Sequence, residues 1–314
     1  PGGARPPLQV MRAFVDEHRD RFGVEPICEV LRMAPSAYRK HVVRRRNPQL
    51  RSDRDKRDEA LSGPIERVWQ ANFRVYGADK VWHQLKREGI QVARCTVERL
   101  MRQAGLQGVR RGHRVRTTWP DATMPCPQDR VHRKFAATRP NQLWVSDITH
   151  VSIGQGFAYV AFITDAFARY IVGWRVGSSM LTNLVVDALE QAIQARQPER
   201  HALIHHSDRG SQYLSVRYTE RLAQAGIEPS VGSKGDSYDN ALAETINGLY
   251  KTEVINHPHH QKPWQSAEAI ELATLDWVSW FNKQRLLERI GYIPPAEAEL
   301  NYYRCTNGQE VLAA

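Results

Sequence analysis

Hydrophobic positions along this chain change their period once, near residue 140. Before that point they recur every three or four residues, the spacing of helices with one apolar face. LQVMRAFVDEHRDRF sets Leu8, Met11, Phe14 and Val15 on one stripe. A shorter helix is predicted over Pro26 to Leu31, then a turn, then a helix over Ser36 to His41 with Ser36 as its cap. Two short helices across a tight turn have helix-turn-helix spacing, and three-helix packing with a solvated basic end fits them equally. RSDRDKRDEA follows as an exposed linker or helix, and the pattern recurs between Pro64 and Gly105. Val81 and Leu85 lie four apart in a helix starting near Ala78, and Gly89 breaks it. Thr96 is placed to cap a third helix carrying Val97, Leu100 and Met101, which Gly105 ends as a left-handed cap.

Residues 106–140 are basic, aperiodic and rich in proline, which reads as an extended linker or a disordered spacer. From Asn141 the period shortens to two. LWVSDITHVSI and FAYVAFITDAFA are strands joined by the hairpin signal Gly154-Gln155-Gly156, and YIVGWRVG is a third strand after a turn at Ala168-Arg169. A helix over Leu181 to Arg196 leads to the strand ALIHHSD, a helix over Val216 to Ala225, the short strand EPSVG and a final helix. Three antiparallel strands followed by helix, strand, helix, strand and helix predict a mixed α/β fold, a five-stranded mixed sheet flanked by helices. That order is the ribonuclease H topology, here preceded by all-α helix-turn-helix modules.

Charge follows the same division. Residues 1–139 carry 30 Lys and Arg against 15 Asp and Glu, and residues 140–314 carry 14 against 19. The first part therefore has the balance of a polyanion binder, although a soluble basic face would look the same. Arg94, Arg99 and Arg102 would be offered by the third helix of the second module, and Arg110, Arg111, Arg114 and Arg116 by the linker. The four cysteines form no CxxC pair, which suits free thiols in a reducing compartment. No run approaches the roughly 18 apolar residues of a membrane span, and PGGARPP has no signal-peptide character, so the chain reads as soluble and intracellular. His205, His206, His257, His259 and His260 have no cysteine partners at finger spacing, which sets zinc aside.

The chemistry concentrates in three acids. Asp147 sits in an apolar strand on the face of Leu143, Val145 and Val151, where a carboxylate is costly without a positive partner. Asp208 ends a second buried strand. Glu244 lies on a helix begun by Asp239 or Asn240, whose apolar stripe is Leu242, Ile246 and Leu249. Asn240, Glu244, Asn247 and Lys251 share its polar face. Taken alone, such a face is ordinarily just solvated.

WVSDITHV, HHSDRGSQY and GDSYDNALAETINGLYKTE, with thirty-five residues between Asp208 and Glu244, closely resemble the three catalytic blocks of the DDE integrase core. They look most like the second-frame product of the insertion-sequence-three family of transposases. FRVYGADKVWHQLKREG resembles that family's second helix-turn-helix, and DWVSWFNKQRLLERIGYIPPAEAE its C-terminal block, with Leu287 where many members have His. The resemblance implies an enzyme that cleaves and joins insertion-sequence ends. Asp147, Asp208 and Glu244 would be its catalytic and metal-binding residues, for two Mg²⁺ (or Mn²⁺) ions per site. Lys251 matches a DNA-contacting lysine of the family, and Asn240 and His206 are plausible DNA or supporting groups. Expected partners are double-stranded DNA (terminal inverted repeats and target), a second copy of the chain in a dimer or higher assembly, and an upstream-frame helix-turn-helix protein. The expected location is the bacterial cytoplasm, at the nucleoid. The expected organisation is a first module over 1–50, a second over 51–106, a linker over 107–140, the catalytic core over 141–262 and a helical extension over 263–314. Trp277, Trp280 and Phe281 on that extension are either core or an oligomer contact. A hydrolytic ribonuclease H-like nuclease and a non-catalytic DNA-binding regulator remain as alternatives.

Overall fold

The computed structural model describes residues 6–110, 137–208, 210–231, 241–260 and 262–313. The early three-to-four spacing forms α1 (Leu8–Phe22), α2 (Val24–Val30) and α3 (Pro35–Arg46). Val15, Ile27, Cys28, Met33 and Tyr38 make their common core. The Tyr38 hydroxyl and Arg45 each donate to Asp16 at 2.6 Å, so a charged hydrogen bond joins α1 to α3 besides packing. Two expectations are corrected. Leu8 and Phe14 stay exposed, because the packed line on α1 is Met11 and Val15, one turn apart. Helix α3 starts at Pro35 with no side-chain cap, since proline in the first turn forfeits no helical bond and its fixed φ begins the helix without Ser36.

The charged stretch is helical, within α4 (Asp53–Ala71), which carries Pro64 inside it. The chain divides there into two compact units, Pro1–Pro64 and Ile65–Ala314.

In the second unit, α5 (Ala78–Arg87) and α6 (Arg94–Gln103) pack together with Val81, Leu85, Val97, Leu100 and Met101 buried. Both end alike. Gly89 and Gly105 adopt left-handed φ of +81° and +70°, which lets Ile90 N–H reach Leu85 O at 2.9 Å and Leu106 N–H reach Met101 O at 2.8 Å. Thr96, expected to cap α6, lies inside it; the helix begins two residues earlier, after Ala93, without a side-chain cap.

Five strands form one sheet among the described residues: β1 (Leu143–Ser152), β2 (Phe157–Asp165), β3 (Ile171–Gly177), β4 (Ile204–Ser207) and β5 (Glu228–Val231). Their order is β3-β2-β1-β4-β5, with β1–β2 and β2–β3 antiparallel and β1–β4 and β4–β5 parallel. This is the ribonuclease H order that the alternation predicted. One face packs on α7 (Thr182–Arg196) and α8 (Val216–Ala225) through Trp144, Ala161, Ile163, Leu189 and Leu222. Alternate residues such as Phe162 point to the other face, covered by α9 (Ala241–Tyr250) and α10 (Ala267–Lys283), with α11 (Pro295–Ala313) against α10.

Trp277, Trp280 and Phe281 are all buried in this layer, so they serve as core and are not available as an oligomer contact. Trp277 meets Phe162 and Tyr250, and Trp280 donates its indole N–H to Asn72 at 3.0 Å. Among the described residues no helix is long and apolar enough to cross a membrane. Cys28, Cys95 and Cys305 are free thiols.

The approach of α7 to β3 is tight at Gly173. A Cβ there would lie 2.2 Å from Ala188 O and 3.0 Å from the Ala192 methyl. Gly173→Ala is expected to destabilise the second unit by about 1–3 kcal/mol, the usual cost of overpacking, as read from urea unfolding. An unchanged unfolding midpoint would contradict this packing.

Candidate active site

Parallel pairing of β4 with β1 sets Val145 against His206 and Ser146 against Ser207. The residue after each of the last pair is an acid, Asp147 within β1 and Asp208 just past the end of β4, so two carboxylates follow the same step of the register. Asp147 faces the α9 side, opposite Phe162 of β2. Helix α9 packs on β1, and its Asn247 donates Nδ2 to Asp147 Oδ2 at 2.9 Å; the other oxygen, Oδ1, accepts Ile148 N–H at 2.9 Å. Glu244 precedes Asn247 by three residues, on the same side of α9.

Burial, then the neighbouring Asp208, push the Asp147 carboxyl up to about 7; the Ile148 and Asn247 hydrogen bonds oppose this, and Glu244 adds to it. No lysine or arginine pairs with Asp147 among the described residues. Asp208 is exposed, and its Oδ1 accepts Gly210 N–H at 2.9 Å, which turns the chain away from β4. Among the described residues no three His, Cys, Asp or Glu side chains are gathered closely enough to hold a metal. Glu244 thus acts on Asp147 through space, without the three acids closing on one point.

The other expected site residues fall differently. His206 is fully buried in the sheet, its Nδ1 3.0 Å from Ser230 Oγ, so it lies inside the core and not on the surface expected of a DNA-contacting group. Beside it, His205 lies 3.1 Å from the Tyr218 hydroxyl and is pushed down to about 3 by burial and by His206. Helix α9 is regular to Tyr250, and Lys251, half-buried, opens the π-helical turn Lys251–Ile255. Arg94, Arg102 and Arg110 are exposed and Arg99 is half-buried. Arg102 pairs with Glu98 along α6 at 3.0 Å. Asn240, Arg111, Arg114 and Arg116 lie outside the described residues.

Two contacts escaped the sequence reading. Asn247 was placed on the polar face of its helix but not against Asp147, and only its three-residue distance from Glu244 signals that. The buried Glu253–Arg285 ion pair has no sequence signal, since its members are 32 residues apart on different elements.

A mixed sheet in this order, with helices on both faces and an integrase core, is the fold of a DDE-type polynucleotidyl transferase. The integrase core domain family matches residues 137–237 and again 225–295, and an HTH-like domain family matches 56–114. The transposase for insertion sequence element IS629 of Shigella sonnei is 55% identical over 304 residues, covering 97% of this chain and all of the relative. Transposase InsF for insertion sequence IS3A of Escherichia coli K12 is 27% identical over 288 residues, covering 91% and 97%. Among solved structures, the HTLV-2 integrase catalytic core domain in complex with magnesium is similar at 17% identity and a TM-score of 0.41, over 52% of this chain and 98% of that one. The chain belongs to the insertion-sequence-three family of transposases.

A raised carboxyl has a consequence for stability. Without metal, native Asp147 binds a proton up to about pH 7 while the unfolded chain releases it near pH 4. That contribution is full below about pH 4 and is lost as pH rises to about 7, a loss on the order of 2–4 kcal/mol. Thermal melting in EDTA should show the decline, and Asp147→Asn, neutral throughout, should remove it. A variant whose pH dependence matches the wild type would contradict the assignment.

Proposed function

We propose that Asp147, Asp208 and Glu244 are the catalytic carboxylates and that they hold two Mg²⁺ ions, with Mn²⁺ able to replace them, for cleavage and joining of insertion-sequence ends to target DNA. The observation that carries this reading is the pair of acids one residue past the paired ends of β1 and β4, uncompensated by any described cation. The donor set fits a hard divalent ion: carboxylate oxygens only, in a place where burial and like charge make positive charge welcome. When bound, such ions neutralise the acids, polarise the phosphate and favour the deprotonated form of an attacking water or 3′-hydroxyl.

The chain's own residues do the rest. Asn247 and the Ile148 amide hold both oxygens of Asp147 in fixed directions. The Gly210 amide orients Asp208 at the mouth of β4. Glu244 completes the set from the first turn of α9. No side-chain nucleophile is needed, because the attacking oxygen comes from water or DNA.

DNA affinity then falls to the basic part of the chain, since clustered acids repel phosphates. In this reading 51–106 is the DNA-binding module, with Arg94, Arg99 and Arg102 on α6 and Arg110 beyond it directed at phosphates. Arg111, Arg114 and Arg116 of the segment 107–140 add phosphate contacts in this reading. Asn240 and Lys251 contact DNA beside the core of 141–262, and 263–314 supports it. Two ends must react together, which calls for a dimer or higher assembly on DNA, joined by an upstream-frame helix-turn-helix protein, at the nucleoid of the bacterial cytoplasm.

Joining of end oligonucleotides to target DNA in Mg²⁺ tests the chemistry. Asp147→Asn, Asp208→Asn and Glu244→Gln should each lower the rate on the order of 10³-fold while still binding end DNA. Undiminished joining by Asp147→Asn would sink the mechanism, and wild-type cutting without joining would favour a simple nuclease. For the DNA face, Arg94→Ala and Arg102→Ala should each weaken binding about equally across sequences and lower the salt slope by about one. An effect confined to one sequence would mean base reading instead.

A further inference from the structure

Glu253 and Arg285 place two opposite charges inside the protein, each side chain only 4% exposed. The guanidinium grips the carboxylate with two nitrogens, Nε lying 3.1 and 3.0 Å from its two oxygens, and the Trp277 indole donates to Glu253 Oε2 at 3.1 Å. Glu253 belongs to the π-helical turn that continues α9 without a break, Tyr250 keeping φ −55° and ψ −51°. A π turn within a helix shifts the side chains beyond it onto a new face, and such turns recur at functional sites. Here the shift carries the helix into contact with Arg285.

Arg285 is itself held from behind. The Tyr76 hydroxyl donates to Gln284 O at 3.2 Å and accepts Leu286 N–H at 2.7 Å, bracketing Arg285 on both sides. Trp280 and Phe281 lie against the guanidinium at 5.9 and 5.3 Å. Tyr76 stands at the entry to α5, and Lys80 on α5 is 5.4 Å from the Tyr76 ring.

These contacts hold the C-terminal end of α9. Tyr250 adds to them through Phe162, Trp277 and a 2.7 Å hydrogen bond with Thr274. Glu244 lies in the first turn at the other end. The rotation of α9 against β1, and with it the direction of Glu244, is therefore set jointly by the Asn247–Asp147 hydrogen bond and by what grips the helix beyond it. A buried ion pair is a poor source of stability, because apolar residues of similar volume serve as well or better. What the guanidinium fork adds is direction, since it accepts a carboxylate in one orientation.

We propose that Arg285 is a positioning residue for Glu244: through Glu253 it fixes the rotation of α9, and through the Tyr76 bridge it ties that rotation to the entry of α5. This rests on the reading of Glu244 as a catalytic carboxylate. It gives the C-terminal block a part in assembling the active site from a position outside it.

The test uses the full chain. Arg285→Lys keeps the charge and loses the fork; Tyr76→Phe removes one hydroxyl and leaves the ion pair. Each is compared with wild type for melting temperature, end-DNA affinity, Mn²⁺ binding by electron paramagnetic resonance, and joining rate against Mg²⁺ concentration. In Arg285→Lys we expect end-DNA affinity within about twofold, and both Mn²⁺ affinity and maximal joining rate lowered about 10–100-fold, the scale for residues that orient metal ligands. Tyr76→Phe should move the same two quantities in the same direction by a smaller factor. Wild-type Mn²⁺ affinity in folded Arg285→Lys overturns the proposal, as does a rate loss that only tracks the folded fraction. Should Arg285→Lys not fold, Tyr76→Phe decides by the same readouts. If instead Glu244→Gln joins DNA normally, the reading of Glu244 fails, whatever Arg285 does.

Discussion

Parallel pairing of β4 onto β1 is the constraint from which the active site follows. It sets Ser146 against Ser207, and the residue after each is an aspartate. That register brings the two carboxylates near enough for Asp208 to act on the buried Asp147. Asp147 shows the strain of this arrangement as a carboxyl pushed up to about 7, by burial first and Asp208 second. A site of this kind is electrostatically incomplete, and under the proposed function cations and the phosphate oxygens of a substrate would complete it.

The layer over that sheet face is built with more directional bonds than packing alone requires. Asn282 both donates to Ile171 O and accepts Ile171 N–H at 2.9 Å, pinning the end of α10 to β3. Trp280 reaches Asn72, and Tyr76 spans Gln284 and Leu286. Each of these buried polar groups would be costly if left unpaired, so the satisfied network selects one arrangement of α10, the segment after it and the entry to α5. Glu253, Trp277 and Arg285 bring α9 into the same network. Placement of the third acid thereby depends on residues far from it in the sequence. That dependence gives a physical reason for an integrase core to carry the block that follows it.

The N-terminal helices answer to simpler rules. Their apolar spacing marks where they form, while the packed line on α1 and the starts of α3 and α6 differ from the pattern. Pro35 started α3 ahead of Ser36, and α6 began ahead of Thr96, because a good first turn needs a suitable backbone more than a capping side chain. Gly89 and Gly105 were legible as helix ends, since each takes the positive φ that other residues adopt only at a cost.

Alternation of apolar residues determined the sheet by itself. Period-two strands, helix-length gaps between them and the order of the elements admit few topologies, and the strand order found is the one they predicted. The sequence also marked Asp147 and Asp208, because a carboxylate in or ending an apolar strand stands out from its neighbours, whereas Glu244 was marked only by its helix face and its spacing from Asp208. It did not reveal that Asn247 holds Asp147, that His206 is buried in the sheet, that Trp277, Trp280 and Phe281 are core, or that Glu253 finds Arg285. Local pattern reports which side of an element is apolar. Which partner lies across that side is settled only when distant segments pack, because pairing energy depends on geometry between residues that the linear order leaves unrelated.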